Sequence, residues 1–221
     1  MAQQGILIVI SGPSGTGKGT ICRELLRSNP QLKYSISATT RQPRVGEVDG
    51  VNYLFLTQDR FKTMIDNHDL LEWAEVYGNF YGTPRHYVLE QLNNGYDVVL
   101  EIDTQGAMKV KDNFSQGVYI YIVPPSLDEL ADRIYKRGTD SLDAIRNRLS
   151  CASDELSLAH NYHYIVVNDQ VAEAVQRIET IITAEKYRAE RNTDLIDSLC
   201  HANCICNEHL APSNKRQGET L

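Results

Sequence analysis

Residues 11–20 read Ser11-Gly12-Pro13-Ser14-Gly15-Thr16-Gly17-Lys18-Gly19-Thr20, between the apolar run 6–10 and a helical pattern over 20–27. Gly12, four intervening residues and then Gly17-Lys18 form the spacing of a phosphate-binding loop. Each part has a chemical reason. Glycines reach positive φ, so successive backbone N–H groups can turn toward phosphate oxygens. The helix beginning near Lys18 presents its positive end to an anion. Lys18 adds a point charge for the β- and γ-phosphates of a nucleoside triphosphate. Strand, loop, lysine and helix in that order indicate an α/β chain. One detail departs from the strict motif. Gly19 follows the lysine, and the hydroxyl comes one place later, at Thr20. Thr20 is therefore a candidate for Mg²⁺ chiefly through water, which this ion retains readily.

Working outward, the runs 98–102, 119–123 and 165–167 resemble 6–10 in having little polar alternation and many Val, Ile and Tyr residues. They predict parallel strands buried on both faces. Ile21 and Leu25 lie on one helical face, and Ser28-Asn29-Pro30 stops that helix. Val171, Val175, Ile178 and Ile182 form an apolar stripe on a helix expected to end near Arg191. The alternation predicts a parallel sheet flanked by helices, with right-handed crossovers. Two stretches interrupt it. Residues 37–87 are rich in Thr, Arg, Gly, Asn and Tyr, with a hairpin expected around 45–50. Residues 126–158 read as two polar helices flanking Arg137-Gly138-Thr139. Both are read as insertions in the sheet's connections, where function tends to sit. From Asn192 the chain turns polar, and 211–221 reads as a loose end.

Composition bounds the rest. The chain has 221 residues, 42% hydrophobic and 23% charged, the balance of one ordinary globular domain. Its net charge of −7 argues against nucleic acid as a general partner, because that affinity comes from neutralising phosphates. No stretch approaches the roughly 20 apolar residues of a membrane span, and Met1-Ala2-Gln3-Gln4-Gly5 has no basic leader. Five cysteines, an odd number, suit a reducing cytoplasm. Cys200, His201, Cys204, Cys206 and His209 match no closed zinc-site spacing and read as an unliganded tail. Tyr34, Tyr77, Tyr119 and Tyr121 read as core or hydrogen-bonded wall residues.

The next informative segment runs from Ser35 through Arg41-Gln42-Pro43-Arg44 to Tyr53. Guanidinium forks three residues apart can grip a phosphate bidentately, although an isolated pair of this kind is more often a solvated turn. Here the chain resembles the guanylate kinase family. The resemblance rests on 12–20, 37–53, Glu72-Trp73-Ala74-Glu75, 78–83 and Glu101-Ile102-Asp103-Thr104-Gln105-Gly106. It continues through Pro124-Pro125-Ser126, Arg137-Gly138-Thr139, Arg148-Leu149 and Val167-Asn168-Asp169, spanning residues 5 to about 190. It implies a P-loop kinase core (5–36, 91–125, 159–191), an inserted GMP-binding subdomain (37–90), a lid (126–158) and a tail (192–221). It also implies phosphoryl transfer from ATP to GMP, with dGMP as a further acceptor. Arg41, Arg44, Tyr53 and Tyr81 would bind the GMP phosphate, and Ser37, Glu72, Thr83 and Asp103 would read the guanine. Gly12, Pro13, Ser14, Gly15, Thr16, Gly17, Lys18, Gly19 and Thr20, with Arg133 and Asn168, would hold ATP. Lys18, Arg41, Arg44, Arg137 and Arg148 would carry catalysis. Thr20 and Glu101 would serve Mg²⁺ through water.

The base assignment has independent chemical sense. Guanine presents N1–H and an exocyclic amine side by side, and one carboxylate can accept from both, whereas adenine presents an acceptor at N1. Two rivals stand beside this reading: a scaffold domain that binds phosphopeptides without catalysis, and a monophosphate kinase of other base specificity. Retention of Gly12, Gly17, Lys18, Arg137 and Arg148 argues against the first, and Glu72 with Thr83 against the second.

Overall fold

The structure, a computed structural model, describes residues 4–76, 78–136 and 154–200. Its residues fall into two compact units, Met1–Ile182 and Thr183–Leu221. In the first, five strands form an all-parallel sheet: β1 (Leu7–Ser11), β2 (Lys33–Tyr34), β7 (Val98–Glu101), β8 (Val118–Val123) and β9 (Tyr164–Val167), in the order β2-β7-β1-β8-β9. Because successive side chains on a strand point to opposite faces, β1 feeds two cores. Ile6, Ile8 and Ile10 pack with Ile21, Cys22 and Leu25 of α1 (Lys18–Ser28) and with Ala174, Val175 and Ile178 of α6 (Val171–Lys186). Leu7 and Val9 pack on the opposite face with Val88 and Leu92 of α3 (Arg85–Asn93) and Ala107 and Val110 of α4 (Thr104–Asn113). Helices on both faces explain why these strands are apolar throughout.

A second sheet, ordered β4-β3-β6-β5, comprises β3 (Ala38–Thr39), β4 (Leu54–Phe55), β5 (Leu70–Val76) and β6 (Asn79–Pro84). Its small core is Ala38, Phe61 and Leu70, with Phe61 contributed by α2 (Gln58–Asp66) and stacked on Phe80 at 5.5 Å. α5 (Leu127–Lys136) follows β8. In the second unit a 3₁₀ turn at Ala189–Arg191 precedes a helix over 193–200 that exposes Leu195, Ile196 and Leu199. Among the described residues no helix is long and apolar enough to cross a membrane.

Three expectations are corrected. No hairpin forms at 45–50: β3 and β4 are parallel, so 40–53 is a long return loop, in which Gly46 and Gly50 serve turns at φ 87° and 74°. The hairpin lies elsewhere, between antiparallel β5 and β6, where Val76 pairs with Asn79 across a two-residue connection. β9 is buried on one face only. Val166 enters the core, but Ile165 and Val167 are 56% and 39% exposed, as befits the sheet's edge. The last long helix ends at Lys186, not Arg191, because Arg188 adopts an extended ψ of 135° and restarts the chain as a 3₁₀ turn.

Candidate active site

The loop 12–17 leaves the carboxyl end of β1 in the middle of the sheet and turns directly into α1. Gly12 sits at φ 142°, and a β-carbon there would lie 2.3 Å from the Ile122 carbonyl oxygen. Gly17 sits at φ 89°, and a β-carbon there would strike the Asn168 amide at 2.4 Å. Both positions exclude any side chain. Thr16 Oγ1 donates to the Pro13 carbonyl at 2.9 Å and ties the loop across its neck. α1 starts from left-handed Gly17 with no side-chain cap and no acidic residue in its own first turn, which leaves its positive end available to an anion. Lys18 Nζ donates to the carbonyls of Gly12 and Pro13 at 2.6 and 3.0 Å. Burial lowers its pKa, with Glu101 and then Glu155 opposing that shift.

A cavity of about 300 Å³ opens beside the loop, lined by Gly12, Ser14 and Lys18 at one end and by Ser37, Tyr53, Glu72, Tyr81 and Asp103 at the other. Glu72, on β5, is 8% exposed, and Thr83 Oγ1 on β6 donates to its Oε1 at 2.8 Å. Burial pushes the Glu72 carboxyl up to about 7; Asp103 adds to the rise, while Thr83 and Lys109 oppose it. Asp103 caps α4 by accepting from the Gly106 N–H at 2.8 Å. Tyr53 and Tyr81 meet edge to face at 6.1 Å, and the Arg41 guanidinium lies 5.4 Å above the Tyr53 ring. Arg41 also pairs with Glu47 at 2.9 Å, and the other Glu47 oxygen accepts from the Arg44 N–H at 2.7 Å. The Arg44 side chain is exposed. Neither arginine lines the cavity.

A second cavity, about 530 Å³, shares Ser14, Lys18 and Glu101 with the first and is lined further by Gly15, Gly17, Gly19, Thr20, Arg23 and Arg133. Glu101 ends β7, accepts from Tyr34 Oη at 3.2 Å and faces Gly19. Arg133 pairs with Glu129 at 2.9 Å and donates to the Asn168 carbonyl at 3.0 Å. Asn168, 3% exposed, donates from Nδ2 to the Thr16 carbonyl at 2.7 Å. It therefore braces the phosphate loop from beneath. Arg137 and Arg148 lie outside the described residues, as does Tyr77. Of the other tyrosines read as wall residues, Tyr119 Oη donates to the Phe114 carbonyl and Tyr121 Oη to the Glu155 carbonyl.

Sequence reasoning passed over two residues. Glu155 lines the first cavity, and burial raises its pKa against the pull of Lys18. Nothing local in 151–158 marks it. Glu47, within a stretch already singled out, is the partner of Arg41. Its carboxylate is held below the usual range, first by the Arg41 hydrogen bond.

The family model for guanylate kinase matches residues 4–185. The guanylate kinase of Caldanaerobacter subterraneus subsp. tengcongensis is 57% identical over 193 residues, covering 87% of this chain and 94% of that protein. That of Desulfitobacterium hafniense is 56% identical over 187 residues, covering 85% and 94%. Among solved structures, guanylate kinase from Anaplasma phagocytophilum superposes with a TM-score of 0.72 at 34% identity, covering 86% of this chain and 90% of that one.

Proposed function

The chain belongs to the guanylate kinase family, and we propose that it transfers the γ-phosphoryl group of ATP to GMP, giving ADP and GDP. One observation carries this reading: a single cavity joins the phosphate-loop lysine to a buried carboxylate and a tyrosine pair. The loop N–H groups and Lys18 hold the β- and γ-phosphates. Arg41, Arg44, Tyr53 and Tyr81 hold the acceptor phosphate, while Ser37, Glu72, Thr83 and Asp103 read the guanine. An acceptor phosphate oxygen attacks the γ-phosphorus as the bond to the bridging oxygen of the departing ADP breaks. The attacking group is already anionic, so no side-chain nucleophile is needed. Catalysis is positioning and dispersal of charge. Arg137 and Arg148, with Arg133, bring that charge from the lid, and closure excludes water.

Mg²⁺ fits the hard oxygen donors Thr20 and Glu101, which border the ATP-side cavity. Among the described residues no group of three or more acidic, His or Cys side chains is placed to hold a metal. Phosphates and water would therefore supply most ligands, with Thr20 and Glu101 in the outer shell. When bound, the ion would neutralise phosphate charge. We assign the GMP-binding subdomain to 37–90 and the lid to 126–158, dGMP as a second acceptor, and the cytoplasm as the compartment. The test is a panel of nucleoside monophosphates with ATP in a coupled ADP assay. GMP far above AMP and pyrimidine nucleotides supports the reading, and equal rates overturn it.

A further inference from the structure

Glu72 can read a base only if its carboxylate is aimed, and the structure shows what stands behind it. Oε1 is held by Thr83. Oε2 faces the first turn of α4, where a β-carbon at Gly106 would lie 3.0 Å from it, 3.3 Å from Cδ and 3.6 Å from Asp103 Oδ1. The backbone does not demand glycine here. Gly106 is helical, and its φ lies outside the range that disfavours side chains. Glycine in a helix normally lowers stability relative to alanine. Nor is α4 free to step back, because Lys109, one turn on, donates to the Trp73 carbonyl at 2.5 Å and registers the helix against β5.

We propose that Gly106 is a specificity-determining position: its missing side chain leaves the space that seats the Glu72 carboxylate against α4 and aims it into the base pocket. Gly106 acts through Glu72 and is a positioning residue. The inference rests on the guanine reading of that pocket. A methyl group at 106 displaces the carboxylate by a few tenths of an ångström, and the backbone stays as it is.

The experiment compares wild type, Gly106→Ala, Glu72→Ala and the double variant in thermal melting, in KM for GMP and ATP, and in the GMP:AMP ratio of kcat/KM. Since misplacement by about 1 Å can cost about a hundredfold, Gly106→Ala should raise KM for GMP about tenfold. KM for ATP should stay unchanged and the GMP:AMP ratio should fall. On the Glu72→Ala background the same change should have almost no effect, since the group it acts through is gone. An unchanged KM and ratio in Gly106→Ala, or an equal loss on both backgrounds, overturns the proposal. If Gly106→Ala does not fold, folding of the double variant supports the proposal, and failure of both overturns it. Wild type without preference for GMP would overturn the guanine reading, and this inference with it. A GMP-specific wild type with an indifferent Gly106→Ala overturns the inference alone.

Discussion

Glu72, the proposed base-reading carboxylate, couples its own ionisation to the stability of the fold. Its pKa of about 7 lies above the ordinary carboxylate value of about 4.5, so between those pH values the native protein holds a proton there that the unfolded chain has already released. The sign follows. This group's contribution to stability is complete below about pH 4.5 and is lost as pH rises through about 7. At pH 8 the ionised carboxylate costs the native state about 3 kcal/mol. Glu72→Gln keeps an acceptor for Thr83, so it should melt higher than wild type at pH 8 and alike at pH 4.5. The proposed guanine recognition needs the ionised form. The kcat/KM for GMP should therefore fall about tenfold per unit below pH 7, and Glu72→Gln should retain only the titration of GMP's own phosphate near pH 6. That variant should also lose about two orders of magnitude in GMP efficiency and narrow the GMP:AMP gap. A pH profile identical in the two proteins would show that Glu72 does not titrate during recognition. Lys18 is the second such residue. Lys18→Ala removes a buried cation that donates to the loop carbonyls of Gly12 and Pro13. Turnover should drop at least about a hundredfold at saturating ATP, with the circular dichroism spectrum and melting cooperativity kept.

Two elements hold the phosphate sites in shape. The loop 40–53 carries Arg41, whose guanidinium is fixed by Glu47 as well as by the Tyr53 ring. The Glu47–Arg41 pair is less than a fifth exposed on either side, so solvent screens it less than an ordinary surface pair. Glu47→Ala should raise KM for GMP about fivefold to tenfold, or about 1–1.4 kcal/mol, below the roughly 1.5–3 kcal/mol of a charged hydrogen bond because the Tyr53 ring still holds the guanidinium. Initial-rate kinetics should show KM for ATP unmoved. The phosphate loop itself is braced by Asn168, the residue that follows β9. Asn168→Ala leaves the Thr16 carbonyl without that donor, at a cost of about 1–3 kcal/mol by chemical denaturation. It should raise KM for ATP and spare KM for GMP, the converse of the Glu47 variant.

For the first unit as a whole, the two sheets divide the chemistry. The parallel sheet carries the phosphate loop, and the smaller sheet carries Glu72, Thr83 and the approach to Arg41. Because Arg41 and Arg44 lie off the cavity that Lys18 lines, the proposed phosphate-binding role of these arginines requires the smaller sheet to approach the loop. Small-angle scattering should show a reduced radius of gyration with both nucleotides bound, and no reduction with either buffer or AMP alone. Equal radii in every state would sink this expectation.

The phosphate loop, β1 and α1 were legible from 6–27 alone, because positive-φ glycines, a buried strand and a helix start are all local constraints on the chain. The arginine pair and Glu72 became interpretable through their order in a longer pattern, since a lone carboxylate or Arg-x-x-Arg is ambiguous by itself. The hairpin was misplaced because glycines at 46 and 50 announce turns, and only pairing decides whether a turn joins neighbouring antiparallel strands. Ile165 and Val167 looked like core residues because hydrophobicity does not reveal that a strand will lie at the sheet's edge. Glu155, the Glu47 bridge and the Gly106 seat are contacts between segments distant in sequence or turned toward one another by a loop. Their partners are chosen by packing in three dimensions, so only the tertiary structure could decide them.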